Sequence, residues 1–162
     1  MLFRSLGSDT DANDAFGGAI ATQGERLLIG APSRDSRRGS VYSFRWDGAA
    51  WTQEAVIEPP DGAADDRFGG CIVLQGDHAI IASCYHDAFN ENGGCAYLYD
   101  WTGSQWQWRR KFSGYDVGPD DYFGQGLALA DGRLFVGAPL HYGPADRSGA
   151  VYTYVWNWEE PA

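Results

Sequence analysis

Three stretches of this chain can be laid over one another almost residue for residue, and no other feature limits its fold so strongly. Asp14-Ala-Phe16-Gly-Gly, Asp66-Arg-Phe68-Gly-Gly and Asp121-Tyr-Phe123-Gly-Gln each lead into a short apolar double run. After a variable loop each copy resumes with Gly39-Ser-Val-Tyr, Gly94-Cys-Ala-Tyr or Gly149-Ala-Val-Tyr. Self-similarity at a period of about 50 residues marks a repeat architecture, in which one unit buries its apolar face against the next.

Each copy reads as four strands. Residues 18–22 and 26–31 are apolar runs split by Gln23-Gly24-Glu25, a hairpin signal. The third run alternates with period two, so Tyr42, Phe44 and Trp46 share a face. Tyr97, Tyr99 and Trp101 repeat this, as do Tyr152, Tyr154 and Trp156. A tight turn follows, and a fourth strand opens at Trp51 or Trp106. The Trp residues read as cross-strand and inter-unit packing in preference to sugar stacking. Four antiparallel strands per unit of this length make a β-propeller blade. The expected fold is therefore all-β, with no helix longer than one turn. The repeats span approximately 9–60, 61–115 and 116–158, and residues 1–8 form a strand that completes a blade. The third repeat lacks a fourth strand and the first is preceded by a spare one. The expectation is that Met1–Leu6 pairs with Val151–Trp156 of another chain, through strand exchange between the termini. Two chains closing a ring, a larger propeller and a fibre are all compatible with that offset.

The paired motifs Phe16-Gly17 with Gly30-Ala31-Pro32, and Phe123-Gly124 with Gly137-Ala138-Pro139, resemble the FG-GAP repeat of integrin α-subunit propellers and bacterial surface proteins. The middle copy keeps Phe68-Gly69 but has Ala82-Ser83-Cys84 in the second half. The resemblance implies a non-catalytic binding or adhesion module at the cell surface or outside the cell. Many members carry a calcium loop of alternating Asp between the first two strands. Here that hairpin is Thr22-Gln-Gly-Glu-Arg26 and its equivalents, with too few oxygens to ligate a hard cation. No metal and no cofactor are expected.

Asp14, Asp66 and Asp121 precede each Phe by two residues. They read as side-chain acceptors for backbone N–H groups in the turn entering the blade. That turn and the loop joining strands two and three lie on one face. The second set of loops is the most variable part of the repeat and carries Arg34, Arg37, Arg38, His86, Phe89, His141 and Tyr142. Variable loops on a rigid scaffold favour recognition, so these residues are the candidate surface for a protein or glycan partner.

A net charge of −10 argues against nucleic acid and anionic lipid partners, and no run is long enough to insert in a membrane. No signal peptide is visible in Met1–Gly7. No metalloprotease, phosphate-loop or serine-nucleophile motif is present, so no catalytic residues are assigned. Cys84 and Cys95 flank one hairpin at a distance that a disulfide could span, with Cys71 left as a packing thiol; three reduced thiols are the other reading. Exposed blade edges would alternatively make the chain a structural subunit that assembles into a ring or filament as a homo-oligomer.

Overall fold

The structure, a computed structural model, describes residues 4, 6–87, 90–143 and 145–155. Among these residues eleven strands form three antiparallel sheets stacked as blades. The first holds β1 (Ala19–Gln23), β2 (Arg26–Ala31), β3 (Ser40–Trp46) and β4 (Trp51–Ile57) in chain order. The second holds β5 (Cys71–Gln75), β6 (His78–Ser83), β7 (Cys95–Trp101) and β8 (Trp106–Phe112). The third holds β9 (Gly126–Ala130), β10 (Arg133–Ala138) and β11 (Ala150–Val155), with three strands among the described residues. The pairing expected for Met1–Leu6 and for Trp156 lies largely outside those residues.

The first two strands of every blade are joined by two-residue turns, with Gln23 opposite Arg26, Gln75 opposite His78 and Ala130 opposite Arg133. In the third blade Asp131 and Gly132 both take positive φ, as a right-twisted two-residue hairpin requires. The Trp pairs expected across the outer hairpins are present, with ring centroids of Trp46–Trp51 and Trp101–Trp106 each 5.5 Å apart. Arg26 of the first blade lies over Trp101 and Trp106 of the second, which makes that pair part of an inter-blade contact. One helical turn occurs among the described residues, Arg34–Arg37, and it is left-handed at Asp35 and Ser36.

Two cores lie between the blades. Leu28, Val41 and Ile57 of the first blade meet Phe68, Ile81, Tyr97 and Tyr99 of the second. Ile80, Ala96, Leu98 and Phe112 on the other side of the second blade meet Phe123, Leu134 and Val136 of the third. The period-two alternation of a strand sends neighbouring residues to opposite cores, so β6 and β7 are buried on both faces. Phe68 and Phe123 are fully buried, as their place in the repeat suggests. Phe16 is only half-buried, because no described blade covers it on the far side.

The expected Cys84–Cys95 bridge is absent, and all three cysteines are free thiols. The register explains why. Cys95 stands opposite Ser83, one residue short of Cys84. Cys95 therefore points into the core shared with the first blade, while Cys84 neighbours Cys71, which packs on the core shared with the third.

Candidate functional site

The loops entering each blade and the loops joining its second and third strands meet on one face. They are tied there by a polar cluster that recurs in all three blades. Its first member is the Asp two residues before Phe. Asp14, Asp66 and Asp121 each accept, through Oδ2, the backbone N–H three residues earlier: from Asp11 at 2.8 Å, Ala63 at 2.7 Å and Gly118 at 2.6 Å. The turn-acceptor reading of these residues is correct. Residues on either side of this Asp take positive φ in every copy: Asn13 and Ala15, Asp65 and Arg67, Asp120 and Tyr122. The side-chain hydrogen bond supports a backbone that L-residues adopt at a cost.

The second member is an Asp seven residues before Phe, which accepts a hydrogen bond from a tyrosine on the third strand. Tyr42 donates to Asp9 at 2.8 Å, Tyr97 to Asp61 at 2.7 Å and Tyr152 to Asp116 at 2.7 Å. Burial, with the neighbouring carboxylate, pushes all three phenols well above their ordinary range. They stay protonated and act as fixed donors.

The third member stands 18 residues after Phe, and here the blades differ. In the first it is Arg34, which pairs with Asp9 at 2.7 Å and Glu58 at 3.3 Å and donates to Ser40 at 2.8 Å. In the third it is His141, whose Nδ1 lies 2.7 Å from Asp121 and whose Nε2 lies 3.7 Å from Asp116. In the second it is the buried His86, with Nε2 3.7 Å from both Asp61 and Asp66. Lys111 supplies the close charge there, 2.9 Å from Asp61 and 3.2 Å from His86 Nε2. Burial lowers the pKa of His86 and Lys111 opposes its protonation further, against the pull of Asp66. Burial likewise raises Asp66, whereas for Asp61 the hydrogen bonds from Lys111 and Tyr97 overcome desolvation and lower it.

The seven residues proposed from sequence as a partner surface thus divide. Arg34, His86 and His141 occupy equivalent positions and are engaged inside the clusters. Arg38 reaches the carbonyls of Pro59 and Gly62 at 3.2 and 3.1 Å and also neighbours Glu58. Arg37 is more than half exposed and pairs with Asp65 across the first junction. Tyr142 is exposed. Phe89 lies outside the described residues. Sequence reasoning passed over Tyr115, which is 95% exposed on the same face and edge-on to Tyr152. Its only signal was an aromatic between Ser113-Gly114 and Asp116 in the loop entering the third blade.

Among the described residues no group of three His, Cys, Asp or Glu is arranged to hold a metal ion, and no helix is long and apolar enough to cross a membrane. The three clusters fall at matching places in each copy, which makes them part of the repeat itself. A family model for the FG-GAP repeat matches residues 6–44, 51–99 and 106–154. The chain belongs to the FG-GAP repeat family. It is also similar to integrin alpha-2 of Mus musculus, with 32% identity over 107 residues, which is 60% of this chain and 9% of the integrin. The chain therefore spans a small part of that relative's length. The family match and the integrin likeness point to a non-enzymatic family and to a module of the binding or adhesion type.

Proposed function

We propose that this chain is a non-catalytic binding module of the adhesion type, working outside the cell or at its surface, with a protein or glycan ligand on the loop face. The observation that carries this reading is the division of labour on that face. The repeated Asp–Tyr clusters, each completed by Arg34, His86 or His141, fix the loop bases, and Tyr115, Tyr142 and Arg37 project beyond them. Exposed aromatics and Arg on a pre-ordered surface give contact area at low entropic cost. The family and the likeness to an integrin α-subunit support the reading. The acid surface favours neutral or cationic ligands over nucleic acid.

The test is a screen of the purified chain against arrays of matrix proteins and glycans, followed by Tyr115→Ala, Tyr142→Ala and Arg37→Ala on any hit. Trp108→Ala, on the outer strand β8, is the control. Loss of binding by at least tenfold in a loop variant, with the control unchanged, is the expected result. Binding that survives all three loop changes would overturn the assignment of the face.

The second reading, a structural subunit assembling through blade edges, draws on β11, which has one hydrogen-bonded neighbour among the described residues. An exposed edge of that kind templates further pairing. In that reading homo-oligomers form when Met1–Leu6 of one chain pairs with Val151–Trp156 of another. Deleting residues 1–7 lowers both assembly state and stability if it holds.

A further inference from the structure

Each junction inside the chain is built the same way. The Phe-Gly turn of one blade inserts beside the second-to-third-strand loop of the blade before it. At the first junction the N–H groups of Asp65, Arg67 and Phe68 donate to the carbonyls of Ser36, Arg37 and Arg38 at 3.1, 2.8 and 2.9 Å. At the second, Asp120, Tyr122 and Phe123 donate to Glu91, Asn92 and Gly93 at 2.9, 3.2 and 2.9 Å. The contact is so close that a side chain on Gly39 or Gly94 would strike the backbone of Phe68 or Phe123, and one on Gly30 would strike Gly69.

Among the described residues one copy of each half is left uncovered. On the third blade the equivalent acceptors are the carbonyls of Asp146, Arg147 and Ser148, with Gly149 and Gly137 in the places of Gly39 and Gly30. Nothing in the described chain covers them. The atoms nearest to a Cβ on Gly137 would be those of Gly126 in its own blade, at 3.7 Å, and an open groove of about 630 Å³ lies along Gly126, Gly137, Gly149 and Val151. Val151 is 70% exposed, where its counterparts Val41 and Ala96 are fully buried under the next blade. On the first blade the equivalent donors are Asn13, Ala15 and Phe16. Their turn has the same alternation of positive φ, and Gly17 has the φ of Gly69 and Gly124 but open space beside it.

We propose that the open face of the third blade receives the Asn13–Gly18 turn of a second copy of this chain, so that copies add head to tail through a third junction like the two inside each chain. The two halves match in chemistry as well as shape. Arg37 pairs with Asp65 at the first junction, and Asn92 donates to Asp120 at 2.9 Å at the second. At the third, Arg147 takes the place of Arg37 and Asn13 that of Asp65, leaving a guanidinium to donate to an amide oxygen. Such a contact is heterologous, so it produces a closed ring or an open filament according to its rotation. It is independent of what the loop face binds.

Two variants separate the halves. Gly137→Leu fills the groove at a site that is open in the single chain. Ile20→Arg places a charge on the outer face of the first blade, where Ile20 is 62% exposed while its counterpart Ile72 is buried in a junction. Light scattering from about 1 μM to 1 mM, the Kd range of weak to moderate association, should show the unmodified chain rising above monomer mass. Each variant alone should stay a monomer with an unchanged melting temperature. Mixed together they should form a 1:1 complex and go no further, since one keeps the turn and the other keeps the groove. An unmodified chain that remains monomeric throughout overturns the proposal. So does assembly that both variants leave intact, which would point to pairing of terminal strands instead. If Gly137→Leu fails to fold, Ile20→Arg decides: undiminished assembly overturns the proposal, and loss of assembly rescued by a chain with an intact outer face on its first blade supports it.

Discussion

Phe16 and Phe68 hold the same place in the repeat and the same partners within their own blades. Phe16 meets Tyr42 edge-on at 5.3 Å and Phe44 at 6.3 Å; Phe68 meets Tyr97 at 5.6 Å and Tyr99 at 6.0 Å. What differs is the neighbour. Phe68 is sealed by the loop of the first blade, through its own N–H and the bridge to Gly39, whereas among the described residues no such loop lies against Phe16. The repeat therefore encodes the unit, while burial of its most recognisable residue is supplied by the adjacent unit. That is the physical basis of nearest-neighbour stability in repeat proteins.

The largest effect expected from this contrast is on stability. Phe68→Ala removes a fully buried ring from a junction and should cost about 3–5 kcal/mol. Phe16→Ala removes a ring that already meets solvent and should cost about 1–2 kcal/mol. Urea unfolding at concentrations where the chain is a monomer would measure both. Equal losses would mean that the ring's own blade, and not the junction, sets its contribution.

A second pair approaches the junction from the opposite side. Gly30→Leu drives a side chain into the backbone of Gly69, so overpacking of about 1–3 kcal/mol or more is expected. The same change at Gly137 meets nothing nearer than ordinary contact with Gly126, at 3.7 Å, and should fall within about 0.5 kcal/mol of the unmodified monomer. Comparable losses at the two sites would show that both glycines serve the strand conformation rather than close approach of blades.

The elements that the sequence made legible are those whose signals are local. The strand runs, the Trp pairs and the turn-acceptor role of Asp14, Asp66 and Asp121 follow from period, turn chemistry and repetition. Arg34, His86 and His141 stand out as loop residues, but their engagement with two carboxylates each and a nearby Tyr was not visible, because those partners come from distant parts of the blade sequence. Lys111 went unassigned because it reaches the second cluster from the far strand of its own sheet. The left-handed turn at Asp35 and Ser36 carries no Gly to announce it. The cysteine pairing failed on a single residue of register: a hairpin drawn by counting brings Cys84 opposite Cys95, whereas the ladder puts Ser83 there and sends the two thiols to opposite faces.

The clusters offer a smaller, pH-dependent contrast between the same two blades. Arg34 in the first blade keeps its charge at every working pH. His86 in the second is surrounded by Asp61, Asp66, Asp87 and Lys111 and sits below the ordinary histidine pKa because of burial. The unfolded chain therefore takes up this proton before the folded one does. Stability from His86 is present above the unfolded value near pH 6.5 and declines as the pH falls through it toward the folded value. The raised carboxyl of Asp66 acts in the opposite sense, losing its contribution as the pH rises through its folded value. Urea midpoints at pH 7.5 and 5.5 should fall less in His86→Gln than in the unmodified chain. An identical fall in both would show that His86 is not the group responsible.

The smallest effect is on thiol reactivity, and it returns to the junction between the first two blades. Burial raises the pKa of Cys95 to about 12 and of Cys84 to about 11, and it also raises that of the part-exposed Cys71. Thiolate is the reactive form, so at pH 8 all three should label slowly while the chain is folded. Cys71 should react first, because its surface is partly open. Cys95 should react last and only with unfolding, because the first blade closes over it. Mass spectrometry of the unreduced chain should find three alkylated cysteines after denaturation in the presence of reagent. A species with only one alkylated cysteine would mean that two sulfurs had joined. Since the register separates Cys84 from Cys95, the pair to examine first would then be Cys71 and Cys84, which share a face of the second blade and lie on the side away from the first.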